Sequence, residues 1–253
     1  MFKKEKCFPA NGGNYLLLIT FLNDYTFRVF TVNKIEHIDE IFKLLKQELN
    51  KYDHPVVSRS KWDEIVNTPF RTLISCILSL RTKDEVTEQA SLRLLKEHNT
   101  PEKLLKLSEK EIASLIYPVG FYKTKAKRIK EISKTLIDNY SSKVPDDFDE
   151  LLKLKGVGKK TAAIVMVYGH KIDSFIPVDI HVHVIANRLG WIKSKNPDET
   201  MDELMRIIPR KYWYDLNDLF VTFGQNICIT ISPWCSRCLI KKYCPKIGVT
   251  QKR

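Results

Sequence analysis

Four cysteines lie close together near the C-terminal end of the sequence, spaced as Cys228-x6-Cys235-x2-Cys238-x5-Cys244. Thiolates grouped this tightly are typical of a metal site, which would tie the segment into one compact loop. A structural zinc ribbon usually has two Cys-x2-Cys pairs held well apart, whereas only one such pair occurs here. Four thiolates on one short loop, with Pro245 directly after the last of them, favour one 4Fe–4S cluster per chain. Zinc and two disulfides are the alternatives, and we find no secretory signal that would favour disulfides.

The overall charge of the chain indicates what kind of partner it binds. Lysine and arginine outnumber aspartate and glutamate by 42 to 30, a formal net charge of +12 over 253 residues. Such a chain attracts polyanions, and nucleic acid is the first candidate among them. No apolar run approaches the roughly 18 to 20 residues that cross a bilayer. We therefore expect no membrane binding and a cytoplasmic, nucleoid-associated location. We also expect the protein to be a monomer.

The periodicity of the apolar residues changes once along the chain. Residues 15–22 and 25–32 are rich in aromatic and β-branched side chains around Asn23 and Asp24, which predicts a β-hairpin. From residue 34 onward the period is helical, beginning with a stripe that runs from Ile35 to Leu49. Further helices are predicted at residues 62–80, 84–96, 108–116, 124–140, 147–154, 159–168, 180–189, 197–207 and 212–227.

The segment Leu154-Lys-Gly-Val-Gly158 joins two of the predicted helices and forms a candidate phosphate site. Glycines such as Gly156 and Gly158 allow positive φ and a close approach of the backbone. Together with Val157, Lys159 and the positive end of the next helix, their amides can hold one DNA phosphate without reading a base. A plain helix connection is the alternative, but the apolar setting favours a helix-hairpin-helix element.

Lys160 and Asp179 are the candidate catalytic residues. Lys160 is in the first turn of the helix after the hairpin, where the dipole and Lys159 favour a neutral amine. A neutral amine can attack a sugar carbon and form a Schiff base, although a simple phosphate contact is equally compatible with this position. Asp179 in Pro177-Val-Asp-Ile-His181 can cap the next helix, and its carboxylate could also stabilise a cationic sugar. His181 and His183 could contact DNA or belong to the cap.

Three motifs taken together resemble the endonuclease III family: Leu154-Lys-Gly-Val-Gly-Lys-Lys160-Thr-Ala, Val178-Asp-Ile-His181 and the cysteine quartet. The similarity covers roughly residues 35–247. It implies an all-α, two-domain helix-hairpin-helix DNA glycosylase fold, with a six-helix barrel at residues 56–173. Residues 34–55 and 174–253 would form an iron–sulfur domain, and residues 1–33 would be an N-terminal β-hairpin extension.

The resemblance also implies an activity on double-stranded DNA that contains damaged bases or abasic sites. The enzyme would flip an oxidised pyrimidine out of the duplex, attack its sugar with Lys160 and break the strand by β-elimination. Asp179 would be the activating carboxylate. The cluster loop would carry three cations towards the phosphates: Arg237, Lys241 and Lys242.

Four residues depart from the family pattern: Lys155 and Ile180 do not touch the proposed nucleophile, whereas Arg81 and Phe121 bear on base flipping. Arg81 stands where bacterial members have a glutamine that fills the gap left by the flipped base, and Phe121 stands where a leucine wedge is expected. Both can perform these tasks, but both could also be ordinary packed or solvated residues. The alternative functions are a monofunctional or oxidised-guanine glycosylase of the same superfamily, and a non-catalytic DNA-binding module with a structural metal.

Overall fold

The computed structural model describes residues 35–49, 51–52 and 68–253, together with the backbone of three N-terminal strands. These strands are β1 (Phe2–Pro9), β2 (Tyr15–Phe21) and β3 (Asp24–Val32). They pair antiparallel in the order β1-β2-β3, and the partners of Tyr15 and Phe21 in β3 are Val32 and Asp24. β2 and β3 thus lie where the sequence predicts a hairpin, whereas β1 was not predicted.

The described residues from 35 onward fold into helices and connecting turns. The α-helices are α1 (Ile38–Leu49), α2 (Pro69–Ser79), α3 (Asp84–Leu95), α4 (Pro101–Leu105), α5 (Glu109–Ile116), α6 (Tyr122–Tyr140), α7 (Phe148–Lys153), α8 (Lys159–Ile164), α9 (Ile180–Arg188), α10 (Pro197–Ile207) and α11 (Trp213–Asn226). A π-helical turn, Val165–Gly169, continues α8, and a 3-10 turn, Arg210–Tyr212, precedes α11. Within this part of the chain, no helix is long and apolar enough to cross a membrane.

The helices begin and end close to the predicted bounds because the residues that cap them are neighbours in the sequence. Ser108 accepts a hydrogen bond from the Glu111 amide at 3.2 Å, and the Glu111 carboxylate accepts one from the Ser108 amide at 2.7 Å. This capping box fixes the start of α5. Helix α4 was not predicted, although Thr100 caps it and Pro101 occupies its first turn. Residues 62–67, where a helix was predicted to begin, lie outside the described residues.

Two hydrophobic clusters hold the helices together. The barrel cluster, as we call it, is built from α2 to α8, with fully buried residues such as Leu73 and Ile129. The terminal cluster is built from α1 and α9 to α11, around Phe42 and Phe220. The Phe148 ring, at the start of α7, stacks on Phe175 with centroids 4.3 Å apart, and both rings pack against the two clusters. In α8, Ala162 belongs to the barrel cluster and Ala163 to the terminal cluster, so this helix lies at the seam where the clusters meet.

Candidate active site and DNA interface

The hairpin between α7 and α8 assigns different tasks to its two glycines. Gly156 has φ of +83°, and a Cβ there would overlap the Arg128 guanidinium. Gly158 has φ of −100°, and a Cβ there would meet nothing within 4 Å. The sequence suggested that both glycines could supply positive φ, but only Gly156 does so. Gly158 instead leaves open space above the first turn of α8, which suits the close approach of a phosphate.

Val157 and Lys159 complete the hairpin. The Val157 side chain is buried in the barrel cluster, which anchors the turn between the two glycines. The Lys159 ammonium is 2.9 Å from the Asp202 carboxylate of α10. The Lys159 charge is therefore already paired within the protein before any ligand binds.

Lys160 and Asp179 meet beside the hairpin. The Lys160 Nζ atom lies 3.9 Å from Asp179 Oδ2, with 46% of the lysine side chain and 12% of the aspartate side chain exposed. The other oxygen, Asp179 Oδ1, accepts hydrogen bonds from the amides of His181 at 2.8 Å and Val182 at 3.0 Å. Asp179 therefore caps α9 with one oxygen and faces the amine with the other. The two groups form an ion pair without a hydrogen bond, and the half-exposed lysine remains within reach of a ligand.

Cys76 is a second nucleophilic side chain in the neighbourhood of Lys160. Only 5% of the surface of Cys76 is exposed to solvent. Burial raises the pKa of Cys76 to about 12, although the charge of Lys160 acts in the opposite direction. The thiol therefore stays protonated at neutral pH and does not compete with the lysine amine.

The two histidines that follow Asp179 have different surroundings. His181 packs against α11 so closely that a Cβ on Gly224 would be 2.5 Å from its Nδ1 atom. His183 Nδ1 is 2.7 Å from Thr200 Oγ1, and burial lowers the pKa of His183. His183 thus belongs to a polar contact between α9 and α10. A DNA contact by His181 stays a prediction.

Arg81 and Phe121 come together on the surface although 40 positions separate them in the sequence. The Phe121 side chain is exposed, and the Arg81 guanidinium lies 5.8 Å from the centre of its ring. The two residues that the resemblance assigns to base flipping therefore form one exposed pair.

The four cysteines of the quartet line one small cavity of about 20 Å³. Apolar side chains that include Ile185, Leu189 and Phe223 also line it. All four cysteines are free thiols rather than disulfides. Burial raises the pKa of Cys238 to about 11 and also raises the pKa values of Cys228 and Cys244. Among the described residues, no group of three or more His, Cys, Asp or Glu side chains is arranged to hold a single metal ion.

Arg188 at the end of α9 was not predicted, yet it organises the cysteine loop. Its guanidinium donates to the Cys228 sulfur at 3.2 Å and to the carbonyls of Cys228, Ile229 and Thr230 at 3.1, 2.9 and 2.7 Å. The residue is 8% exposed. An arginine at a helix terminus is common, so the sequence offered no signal that this one would turn inward.

The cations of the cysteine loop pack largely on aromatic rings. The Arg237 guanidinium lies 4.4 Å from the Trp234 ring centre, and the Lys242 ammonium lies 4.6 Å from that of Tyr243. The Lys241 ammonium donates to the Ser236 carbonyl at 2.9 Å. Aromatic rings and carbonyls carry no net charge, so these contacts orient the three cations without neutralising them.

Comparisons with known proteins identify the family of this chain. Residues 74–210, more than half of the chain, match the family model described as HhH-GPD superfamily base excision DNA repair protein, so the chain belongs to that class. Endonuclease III of Thermotoga maritima is 44% identical over 189 residues, which cover 75% of this chain and 88% of that protein. Endonuclease III-like protein 1 of Mus musculus is 42% identical over 178 residues, but the match spans only 59% of its length.

A solved structure is similar to most of the chain. It is the trapped endonuclease III–DNA covalent intermediate, with a TM-score of 0.73 and 29% sequence identity, and the match covers 85% of this chain and 97% of that one. The chain therefore belongs to the endonuclease III family, the DNA glycosylases and AP lyases of base excision repair.

Proposed function

We propose that this protein removes oxidised pyrimidines from double-stranded DNA and then cleaves the strand 3′ to the abasic site, using Lys160 as the nucleophile. The observation that carries the proposal is the 3.9 Å approach of Lys160 Nζ to Asp179 Oδ2 beside the hairpin. An amine next to a carboxylate, half-exposed at a phosphate-binding turn, suits attack on a sugar carbon. Duplex DNA with a damaged base or an abasic site is the partner that fits this chemistry, and we expect the protein to act as a monomer.

The two carboxylate oxygens of Asp179 have different roles in the proposed reaction. Oδ2 accepts a proton from the Lys160 ammonium, and the free amine attacks C1′ of the flipped nucleotide while the base departs with the electrons of the glycosidic bond. The sugar ring opens to give an imine between Lys160 and C1′. Loss of a proton from C2′ then expels the 3′ phosphate, and water releases the amine. Oδ1 remains bound to two amides throughout, which keeps the carboxylate in place.

The hairpin and the cysteine loop are the surfaces that we propose for the phosphates. Gly156, Val157, Gly158 and Lys159 would hold one phosphate through the backbone and the amine. Arg237, Lys241 and Lys242 would meet others, since their charges are oriented but not neutralised. Arg81 and Phe121 would enter the base stack.

The two hydrophobic clusters support a division into two domains. The barrel cluster falls within residues 56–173, which we propose as the six-helix barrel. The terminal cluster draws on residues 34–55 and 174–253, apart from Ala163 in α8. Lys160 and Asp179 come from opposite sides of this division, so the proposed site spans the seam.

Cys228, Cys235, Cys238 and Cys244 are the residues that we propose as ligands of one 4Fe–4S cluster. Their thiols line one cavity with apolar walls. The Arg188 guanidinium beside Cys228 would stabilise a thiolate there through its positive charge. A bound cluster would supply a structural cross-link and lower the pKa values that burial raises. Four irons per chain and a broad visible absorbance are expected on purification, whereas one zinc ion without colour would contradict the assignment.

Borohydride trapping tests the nucleophile. Reduction of the imine should crosslink the wild-type protein to a duplex that contains an oxidised thymine, and Lys160→Ala should abolish the crosslink. Lys159→Ala is the matched control, because it removes the neighbouring amine and should weaken binding without preventing the crosslink. Full crosslinking by Lys160→Ala would overturn the mechanism.

A panel of lesions tests the substrate. Base release from oxidised pyrimidines should exceed release from oxidised guanine or mispaired adenine. The reverse preference would favour an oxidised-guanine or monofunctional glycosylase, and binding without base release would favour a non-catalytic module.

A further inference from the structure

A buried lysine lies beneath the exposed pair Arg81 and Phe121. Lys125 in α6 is 6% exposed, and its ammonium donates to the Leu78 carbonyl at 2.7 Å, the Leu80 carbonyl at 2.5 Å and Thr82 Oγ1 at 3.0 Å. An ammonium has three N–H donors and no acceptor. All three donors are therefore directed at residues 78–82, where α2 ends and the chain turns through Arg81 towards α3.

The turn that carries Phe121 is joined to the same segment. The Gly120 amide donates to Thr82 Oγ1 at 3.2 Å, and a Cβ on Gly120 would be 2.6 Å from the Arg81 carbonyl oxygen. Lys125 also begins the hydrogen bonding of α6, since its amide donates to the Phe121 carbonyl at 3.0 Å. Thr82 Oγ1 is thus a common partner of Lys125 and Gly120, and the two surface segments form one unit.

Both tips of this unit are held in an unusual backbone conformation. Arg81 has φ of +53° and Phe121 has φ of +58°, in the left-handed region that non-glycine residues rarely adopt. Such residues persist only where the surroundings hold them in place. Phe121 is 62% exposed, so a large apolar ring and a guanidinium are presented together to solvent. A rigid aromatic and cationic pair on a basic surface suits insertion between stacked bases.

We propose that Lys125 is a positioning residue that locks Arg81 and Phe121 into one rigid wedge for opening the DNA base stack. The inference rests on the proposed function, because it assigns the wedge to base flipping. Lys125 does not reach the DNA itself. It ties the end of α2 to the start of α6, so that the ring separates the bases while the guanidinium meets the base left without its partner.

The hydrogen-bond pattern explains why a lysine is needed. The carbonyls of Leu78 and Leu80 lie at the C-terminal end of α2, where helix carbonyls lose their partners in the helix. A cation at this end is favoured by the helix dipole. Methionine has nearly the same length as lysine but no donor, so Lys125→Met should keep the packing while it releases the segment that carries Arg81.

The test compares duplex and single-stranded substrates. Lys125→Met should slow base extrusion, measured as the fluorescence rise of 2-aminopurine beside the lesion, by roughly tenfold to 100-fold, the cost of a small misplacement. Borohydride crosslinking to an abasic site in single-stranded DNA, which needs no wedge, should be unchanged. Lys127→Met, two positions further along α6 and exposed, should match the wild type in both assays.

The outcomes separate this inference from the proposed function. Extrusion at the wild-type rate by Lys125→Met would overturn the role of Lys125, whereas failure of the wild-type protein to crosslink would overturn the Lys160 mechanism. If Lys125→Met does not fold, Thr82→Val replaces it, because the valine removes Oγ1 and leaves the lysine. Thr82→Val should show the same selective loss on duplex DNA, and equal loss on both substrates would contradict the wedge.

Discussion

The two carboxylate oxygens of Asp179 make different contacts. Oδ1 binds two amides of α9, and Oδ2 faces the Lys160 amine. An N-cap typically contributes about 0.5–2 kcal/mol to the free energy of unfolding. The capping and chemical roles reside on different atoms, so substitutions can separate them.

Asp179→Asn should retain the cap and remove the charge. The asparagine Oδ1 still accepts from the His181 and Val182 amides, so we expect the free energy of unfolding to change little. Base release should fall by roughly 10²-fold to 10⁴-fold, because no carboxylate remains to accept the proton. Asp179→Ala, which also removes the cap, should lose a further ~1 kcal/mol of stability. Equal loss of stability in the two variants, measured by urea unfolding, would contradict this separation.

Lys125 gives a pH-dependent contribution to stability. Burial lowers the pKa of Lys125 to about 8, whereas an unfolded lysine titrates near pH ~10.4. Between these two pKa values, Lys125 is largely protonated in the unfolded chain and largely neutral in the folded chain. The free energy of unfolding therefore increases as pH rises through that window. Below the window, the buried ammonium lowers the free energy of unfolding by a constant amount.

The comparison with Lys125→Met isolates this effect from other titrating groups. The difference in unfolding free energy between wild type and variant should shift in favour of the wild type as pH rises from about 8 to about 10.4. Denaturant unfolding at several pH values measures it. A difference that stays flat across the window would show that the amine titrates alike in the folded and unfolded chains.

At the scale of elements, the hairpin between α7 and α8 separates fold from binding. Gly156 has the left-handed conformation and abuts Arg128, whereas Gly158 is extended and faces open space. We expect Gly156→Ala to lower the free energy of unfolding by ~1–2 kcal/mol, since a Cβ is strained in that region. Gly158→Ala should leave stability unchanged and weaken binding to undamaged duplex. Thermal unfolding and fluorescence anisotropy would check both, and weakened stability in Gly158→Ala would refute the assignment.

The elements that the sequence predicts correctly are those with local signals. The capping box at Ser108 and Glu111 and the proline at Pro197 set helix starts within a few residues. Helix α4 was missed because its five residues are too short to show a period, although Thr100 and Pro101 mark its start. Strand β1 was also missed. Lys160 and Asp179 could be selected because each stands at a recognisable helix start.

Lys125 and Arg188 could not be found in this way. Both donate mainly to backbone carbonyls more than 39 positions away in the sequence. Every residue has a carbonyl, so nothing in the sequence distinguishes the acceptors. Only the packing of α6 against the end of α2, and of α9 against the cysteine loop, reveals that these cations turn inward.

At the scale of the whole molecule, the site depends on two hydrophobic clusters meeting. Lys160 belongs to a helix of the barrel cluster, and Asp179 opens a helix of the terminal cluster. The net charge of +12 draws DNA to the protein at long range. Affinity should therefore fall steeply with salt, whereas the proposed chemistry would depend on how the clusters hold the two residues together.

The ion pair between Lys159 and Asp202 crosses the same seam. Asp202 in α10 is a counterion within the protein, and a DNA phosphate that binds the Lys159 amine as proposed would have to displace it. Asp202→Asn should therefore raise affinity for undamaged duplex by up to about fivefold, the range of an exposed pair. Asp198→Asn removes the same charge from the same helix and serves as the control in anisotropy titrations, and an equal gain from both would point to net charge alone. If Lys159 binds a phosphate as proposed, re-formation of its ion pair with Asp202 should speed dissociation from undamaged DNA and shorten the time spent at sites that need no repair.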